Sequence, residues 1–304
     1  MKKRKDTGNI AASVKARLTD IARNNNTDLN AVMRQYFQER FLYRLSRSVY
    51  AEHFILKGAL LFLAYDINRN RLTKDIDFLG VHVDNDTAVL RQIFGEIAAI
   101  DYPDGTSFDA DTMKAEVITA QSEYEGVRLQ MQCHLGTMKS WIQLDVGFGD
   151  RIVAGPNTVN YPVLLDFDSP VLYVYSVESA IAEKFEAIVS LSYASSRMKD
   201  YYDILYFASN HSCKSEILSQ ALSVTFQQRG TTLDDYHNIF SPEFRRNTEL
   251  QVMWSAFINK RGLSANDNFS HTLEKIETFL IGCLTDKTPG LIWNPRSLQW
   301  EKEL

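Results

Sequence analysis

Thr73-Lys74-Asp75-Ile76-Asp77-Phe78-Leu79-Gly80-Val81-His82-Val83 opens on an alternation of acidic and apolar residues. A two-residue period belongs to a strand, in which successive side chains leave opposite faces. Asp75 and Asp77 therefore project together, while Ile76 and Phe78 face the other way. Two carboxylates held that close repel each other unless a cation lies between them, and hard Mg²⁺ with oxygen ligands and bound phosphates is the usual solution. An isolated Asp-x-Asp is common at protein surfaces, so the surrounding sequence has to decide.

Upstream, Lys57-Gly58-Ala59 reads in two ways. It is a glycine-permitted turn whose backbone N–H groups and lysine approach a phosphate, or it is a helix start or a packing glycine. Downstream, Val127, Leu129, Met131 and Cys133 alternate with Arg128, Gln130, Gln132 and His134, and Ile142, Leu144 and Val146 alternate with Trp141, Gln143 and Asp145. These spacings predict two half-polar strands, paired antiparallel. Asp145 lies on the polar side and runs into Gly147-Phe-Gly-Asp150. It either completes a two-metal site as a third carboxylate or caps the glycine turn, as Asp150 can.

Further out, Val14, Leu18 and Ile21, then Leu29, Val32, Met33, Tyr36 and Phe37, recur at helical spacing on either side of Asn24-Asn-Asn-Thr-Asp28, which predicts two N-terminal helices. Arg40, Arg44 and Arg47 share one face of the second helix, either to meet phosphate or to face water. A loop is expected at 66–71 and a helix at 89–100, with extended pieces at Tyr161-Pro-Val-Leu-Leu and Val171-Leu-Tyr-Val-Tyr and a largely helical chain from Val177 to the end. The expected class is α+β: N-terminal helices over 1–49, a mixed-sheet lobe over 50–170 and a helical lobe over 171–304.

The bulk properties agree with an ordinary globular chain of 304 residues, 45% hydrophobic and 12% aromatic, large enough for two lobes. Polar Thr7, Gly8 and Asn9 follow the basic start where a signal peptide needs an apolar core, and no apolar run approaches the ~20 residues of a membrane span, so a cytoplasmic location is expected. Cys133, Cys213 and Cys283 are odd in number and widely spaced, as reduced thiols are. The net charge is −5, yet residues 1–50 hold eleven basic and four acidic residues, +7, which leaves −12 for the rest. Such asymmetry fits a basic arm beside a metal-binding acidic body, or simply a solvated surface. No local Ser/His/Asp or Cys/His motif supports a nucleophilic hydrolase.

Lys184 falls inside the apolar stripe Val177, Ile181, Ile188 and Leu191. A lysine there has to snorkel outward, pair with an acid or meet a ligand's negative charge. In Arg197-Met-Lys-Asp-Tyr-Tyr-Asp203, Asp200 and Asp203 share a helix face, as acids of a first turn that complement the helix dipole would.

Taken in order, Phe54-Ile-Leu-Lys-Gly-Ala-Leu-Leu-Phe, Arg71-Leu-Thr-Lys-Asp-Ile-Asp-Phe-Leu-Gly, Gln143-Leu-Asp-Val-Gly-Phe-Gly-Asp, Ala182-Glu-Lys-Phe-Glu-Ala and Ser196-Arg-Met-Lys-Asp-Tyr-Tyr-Asp resemble the AbiEii/AbiGii abortive-infection toxin family, over roughly residues 10 to 285. The resemblance implies a nucleotidyltransferase fold of the DNA polymerase β type and transfer of nucleotides from an NTP to RNA, the tRNA 3′ end among the acceptors, with a cognate antitoxin as partner. It also implies Mg²⁺ on Asp75, Asp77 and Asp145, with a second ion shared with Asp145. Lys184 would contact the triphosphate and Asp200 would be a further catalytic acid. Lys57, Gly58, Ala59, Arg197 and Lys199 would complete the nucleotide site. The family turn usually reads Gly-Gly or Gly-Ser, so Gly58-Ala59 lacks a serine hydroxyl for the γ-phosphate. Two other functions are compatible with the same scaffold: nucleotidylation of a protein hydroxyl, and a catalytically silent interaction module.

Overall fold

Ala11, Val14, Leu18 and Ala22 form the buried stripe of α1 (Lys3–Asn24), which ends where Asn26 adopts φ +49°, a left-handed conformation that asparagine tolerates. The computed structural model describes residues 3–65, 73–119, 125–261, 268–285 and 287–303, and the expected loop at 66–71 lies outside them. The chain divides into two compact units, Met1–Gly149 with Asn157–Val174, and Asp150–Pro156 with Tyr175–Leu304.

In the first unit, α1 is followed by α2 (Leu29–Ser46), β1 (Phe54–Lys57), α3 (Leu61–Ala64), β2 (Asp75–Gly80), α4 (Thr87–Ala98), β3 (Thr106–Thr119), β4 (Glu125–Leu135), β5 (Met138–Gly147), β6 (Asn157–Asn160) and β7 (Val171–Val174). The seven strands form one mixed sheet, ordered β3-β4-β5-β2-β1-β7-β6, in which β2–β5 and β1–β7 run parallel and the other neighbours antiparallel. Period-two alternation decides which face is inside. Leu56, Ile76, Phe78, Leu129, Met131, Leu144 and Val146 are all buried, with α2 packed on β5 and β7 and α4 on β3. Each such side chain contributes roughly 1.5–3 kcal/mol. The sheet's other face keeps the polar set of these strands.

Three expectations need correction. The face of α2 that carries Arg40 and Arg44 meets neither phosphate nor water: both side chains are buried, and only Arg47 is exposed. Arg44 pairs with buried Asp104 at 2.8 Å and donates to the carbonyls of Ile100, Arg40 and Thr106. Arg40 donates through both terminal nitrogens to the carbonyl of Asp168, between the rings of Tyr43 and Phe167. Second, Tyr161-Pro-Val-Leu-Leu is not a strand. β6 stops at Asn160, and Pro162 has no N–H to continue a ladder. Third, the chain does not stay helical to its end.

In the second unit, α5 (Val177–Leu191), α6 (Met198–Asn210), α7 (Ser215–Gln228), α8 (Tyr236–Ile239), α9 (Pro242–Arg245), α10 (Thr248–Arg261) and α11 (Phe269–Leu284) are followed by a hairpin of β8 (Leu291–Asn294) and β9 (Gln299–Lys302). Trp293 and Trp300 face each other across that hairpin, and their indole N–H groups donate to the carbonyls of Ala208 and Phe279. No helix among the described residues is long and apolar enough to cross a membrane.

Removing one partner of a buried ion pair strands the other charge, so Asp104→Ala should lower stability by about 3–5 kcal/mol. A guanidinium midpoint unchanged from the parent would show the pair to be dispensable. Glu39 on α2 gives a pH test. Burial pushes its carboxyl up from 4.5 to about 8, against the opposing pull of Arg40 and the Leu164 N–H. Between those pH values the folded chain keeps a proton that the unfolded chain releases, so this group makes stability fall as pH rises from about 4.5 to about 8. Glu39→Gln should flatten that decline in thermal melts taken at pH 5 and pH 8, and an identical pH slope in the variant would contradict the assignment.

Candidate active site

Strand register assembles the site. Lys57 on β1 lies opposite Asp77 on β2, Asp77 opposite Asp145 on β5, Asp145 opposite Arg128 on β4, and Arg128 opposite Glu116 on β3. The row therefore runs positive, negative, negative, positive, negative across five adjacent strands. Opposite charges on facing positions stabilise a sheet and like charges oppose it. The row has one like-charged step, Asp77 to Asp145, and Asp75 adds a third carboxylate beside it. One oxygen from each of Asp75, Asp77 and Asp145 lies within 4.8 Å of the others. At an effective dielectric of about 20, two charges that far apart repel by roughly 3 kcal/mol, more than an ordinary hydrogen bond returns.

Each acid is held differently. Asp75 accepts a short hydrogen bond from the Thr73 hydroxyl. Asp145 accepts a fork from Arg128, at 2.9 Å from Nε and 2.8 Å from Nη2, and the Gln143 amide approaches both its oxygens. That hydrogen bond raises the Arg128 guanidinium above its ordinary value. Asp77 lies against Gly58, which takes φ +67°. A β-carbon there would stand 2.0 Å from Asp77 Oδ2. Both readings of Lys57-Gly58-Ala59 find a counterpart: Gly58 opens a short 3₁₀ turn over Gly58–Leu60 that leads into α3, and it is packed so that its missing side chain is the space that Asp77 occupies. Lys57 Nζ lies 4.0 Å from where a β-carbon on Gly147 would stand. Three convergent, part-exposed carboxylates offer the all-oxygen donor set that Mg²⁺ takes, so the residues fit that ion.

The second unit holds the remaining candidates. Lys184 on α5 pairs with Asp203 at 2.8 Å and with Asp200 at 3.3 Å, and Arg197 binds the other Asp200 oxygen at 2.6 Å. Burial raises Asp200, but Lys184, Arg197 and Lys199 together outweigh it and hold the carboxyl below the usual range. Of the possibilities for Lys184, pairing with acids is the one seen. Lys199 is exposed. Asp150 binds Arg229 at 2.9 Å, and Glu183 and Glu186 bind the same guanidinium.

A family model described as nucleotidyl transferase AbiEii toxin, type IV toxin–antitoxin system, matches residues 40–278. The chain belongs to the AbiEii family. This AbiEii protein is thus a nucleotidyltransferase toxin of a type IV toxin–antitoxin system. Two solved structures share its fold. JHP933 from Helicobacter pylori is 13% identical with a TM-score of 0.51, covering 86% of this chain and 94% of that one. MenT4, the nucleotidyltransferase toxin Rv2826c from Mycobacterium tuberculosis H37Rv, is 17% identical with a TM-score of 0.50, covering 91% and 98%. No curated protein matches the AbiEii chain by sequence.

Sequence reasoning singled out neither Arg128 nor Arg229. Arg128 was legible as a polar-face residue of an alternating strand, but only the β4–β5 register reveals that it faces Asp145. Arg229 lies past the end of α7, far in sequence from the three acids that surround it, and carried no local signal.

Gly58→Ala should be severe although it adds a single methyl group. It forces a β-carbon into the left-handed region, about 1–3 kcal/mol of strain, and displaces Asp77. Mn²⁺ affinity, followed by paramagnetic resonance, should weaken by roughly tenfold or more, which is about 1.4 kcal/mol or more. Unchanged affinity would mean that Asp77 does not need this cradle.

Proposed function

We propose that this toxin transfers a nucleoside monophosphate from an NTP to the 3′ end of an RNA, with tRNA as the acceptor, and that the reaction depends on Mg²⁺. The observation that carries the proposal is the convergence of Asp75, Asp77 and Asp145 beside the side-chain-free cradle of Gly58. Family membership supports the reaction type and implies an NTP and an antitoxin partner.

In the proposed reaction the acceptor hydroxyl oxygen bonds to the α-phosphorus. The bond from that phosphorus to the pyrophosphate oxygen breaks, and pyrophosphate leaves with the bonding pair. The hydroxyl proton passes to solvent. Mg²⁺, when bound, neutralises phosphate oxygens and lowers the pKa of a ligated hydroxyl. Asp75 and Asp77 would hold it, with one oxygen of Asp145. Thr73 fixes the orientation of Asp75, and Gly58 leaves room for Asp77. Lys57 and the N–H groups of the Gly58-Ala59 turn supply donors for a phosphate without a serine hydroxyl. From the family resemblance, Lys184 contacts the triphosphate, Asp200 is a further catalytic acid, and Arg197 and Lys199 belong to the nucleotide set. The ion pairs with Asp200 and Asp203 hold the Lys184 ammonium in place.

The test is incubation with Mg²⁺, each α-³²P-labelled NTP in turn and total tRNA, resolved on a denaturing gel. Wild type should label tRNA and Asp77→Ala should label it roughly 100-fold less or worse, because loss of a metal ligand forfeits several kcal/mol of charge stabilisation. Label on a protein band instead would move the acceptor to a protein hydroxyl. No label on any acceptor would leave a silent interaction module on this scaffold.

A further inference from the structure

Asp145 has less to offer a metal than its place in the triad suggests. A carboxylate has about four lone-pair sites on its two oxygens. Arg128 takes one on each, with Nε at 2.9 Å from Oδ1 and Nη2 at 2.8 Å from Oδ2, and the Gln143 amide lies 3.2 and 3.3 Å from the same two oxygens. Gln143 is itself held by an N–H of Gln130 on the neighbouring strand at 2.9 Å. At most one site remains, which suits a single contact to one ion and not a bridge between two. Both partners are shielded, Asp145 being 14% exposed and Arg128 33%. The arginine sits in strand register directly opposite the acid, so the fork follows from the fold and not from a loose surface rotamer.

Resting on the function proposed above, we infer that Arg128 is a positioning residue that fixes Asp145 as a one-ion ligand, so that without nucleotide the triad binds one divalent cation and the guanidinium stands where a second would be compensated. Two consequences separate this role from simple support of the sheet. Neutralising Arg128 removes a positive charge from beside Asp145 and releases one lone-pair site on each of its oxygens, so metal binding should improve while catalysis falls. A lysine keeps the charge but cannot make the two-pronged contact, so it should leave metal binding near the parent value while turnover drops.

The experiment titrates full-length, nucleotide-free protein with Mn²⁺, followed by paramagnetic resonance and calorimetry, for wild type, Arg128→Gln and Arg128→Lys, with Asp77→Asn as the site control and circular dichroism as the check on folding. Wild type should bind one Mn²⁺. Arg128→Gln should bind it about tenfold more tightly or take up a second ion, in line with the size of a removed like charge at this range. Arg128→Lys should match wild type in stoichiometry and affinity, and serves if the glutamine variant fails to fold. Wild-type affinity and stoichiometry in Arg128→Gln would overturn the inference, as would two ions of similar affinity on wild type, and neither result would touch the proposed reaction. No Mn²⁺ on wild type would overturn the metal dependence of the proposed function and this inference with it.

Discussion

The parallel pairing of β2 with β5 sets Asp77 directly opposite Asp145, and the surrounding structure answers that one unfavourable juxtaposition. Lys57 and Arg128 flank the two acids in the same row, on the strands to either side. Gly58 gives up a side chain to make room for one of them, and Thr73 and Gln143 fix the orientation of the others. The apolar faces of the same strands are buried beneath α2 and α4, so the register cannot slip by one residue without turning Ile76, Phe78, Leu144 and Val146 outward. Core packing thereby holds the acids together against their own repulsion.

Much of this was readable in the sequence because it depends on period and not on distance. The alternations at 75–78, 127–134 and 141–146 give the strands, their inner and outer faces, and hence the three acids. The long strand β3 escaped because its pattern changes phase. A bulge between Asp109 and Lys114 puts Phe108 and Met113, five residues apart, on the same buried side, which breaks a two-residue period in the middle. The C-terminal hairpin was hidden by its brevity: two four-residue strands joined by a turn hold their place through two indole N–H bonds that no local pattern announces.

The basic face of α2 shows the opposite failure, in which the spacing was right and the environment wrong. Arg40 and Arg44 do share a face with Arg47, as the helical period requires. However, α2 is buried on that side too, and the arginines donate to the carbonyls of Ile100, Thr106 and Asp168 and to Asp104. A helix with arginine on its inner side reads from sequence as amphipathic with a wet face. Apart from the Arg40 carbonyl four residues back, the carbonyls that accept from those guanidinium groups lie 56 to 128 residues away along the chain.

The first unit resumes at Asn157 after the second has taken Asp150–Pro156, so the backbone passes between the units three times. Asp150 and the backbone of Arg151 find their partners in Arg229 and Gln228, almost eighty residues later. No single break in the polypeptide yields the two units intact. A ribosome that stopped after Val174 would release the seven described strands of the mixed sheet together with a seven-residue segment whose partners had not been made. In order of synthesis, the second unit can therefore be completed only after the first.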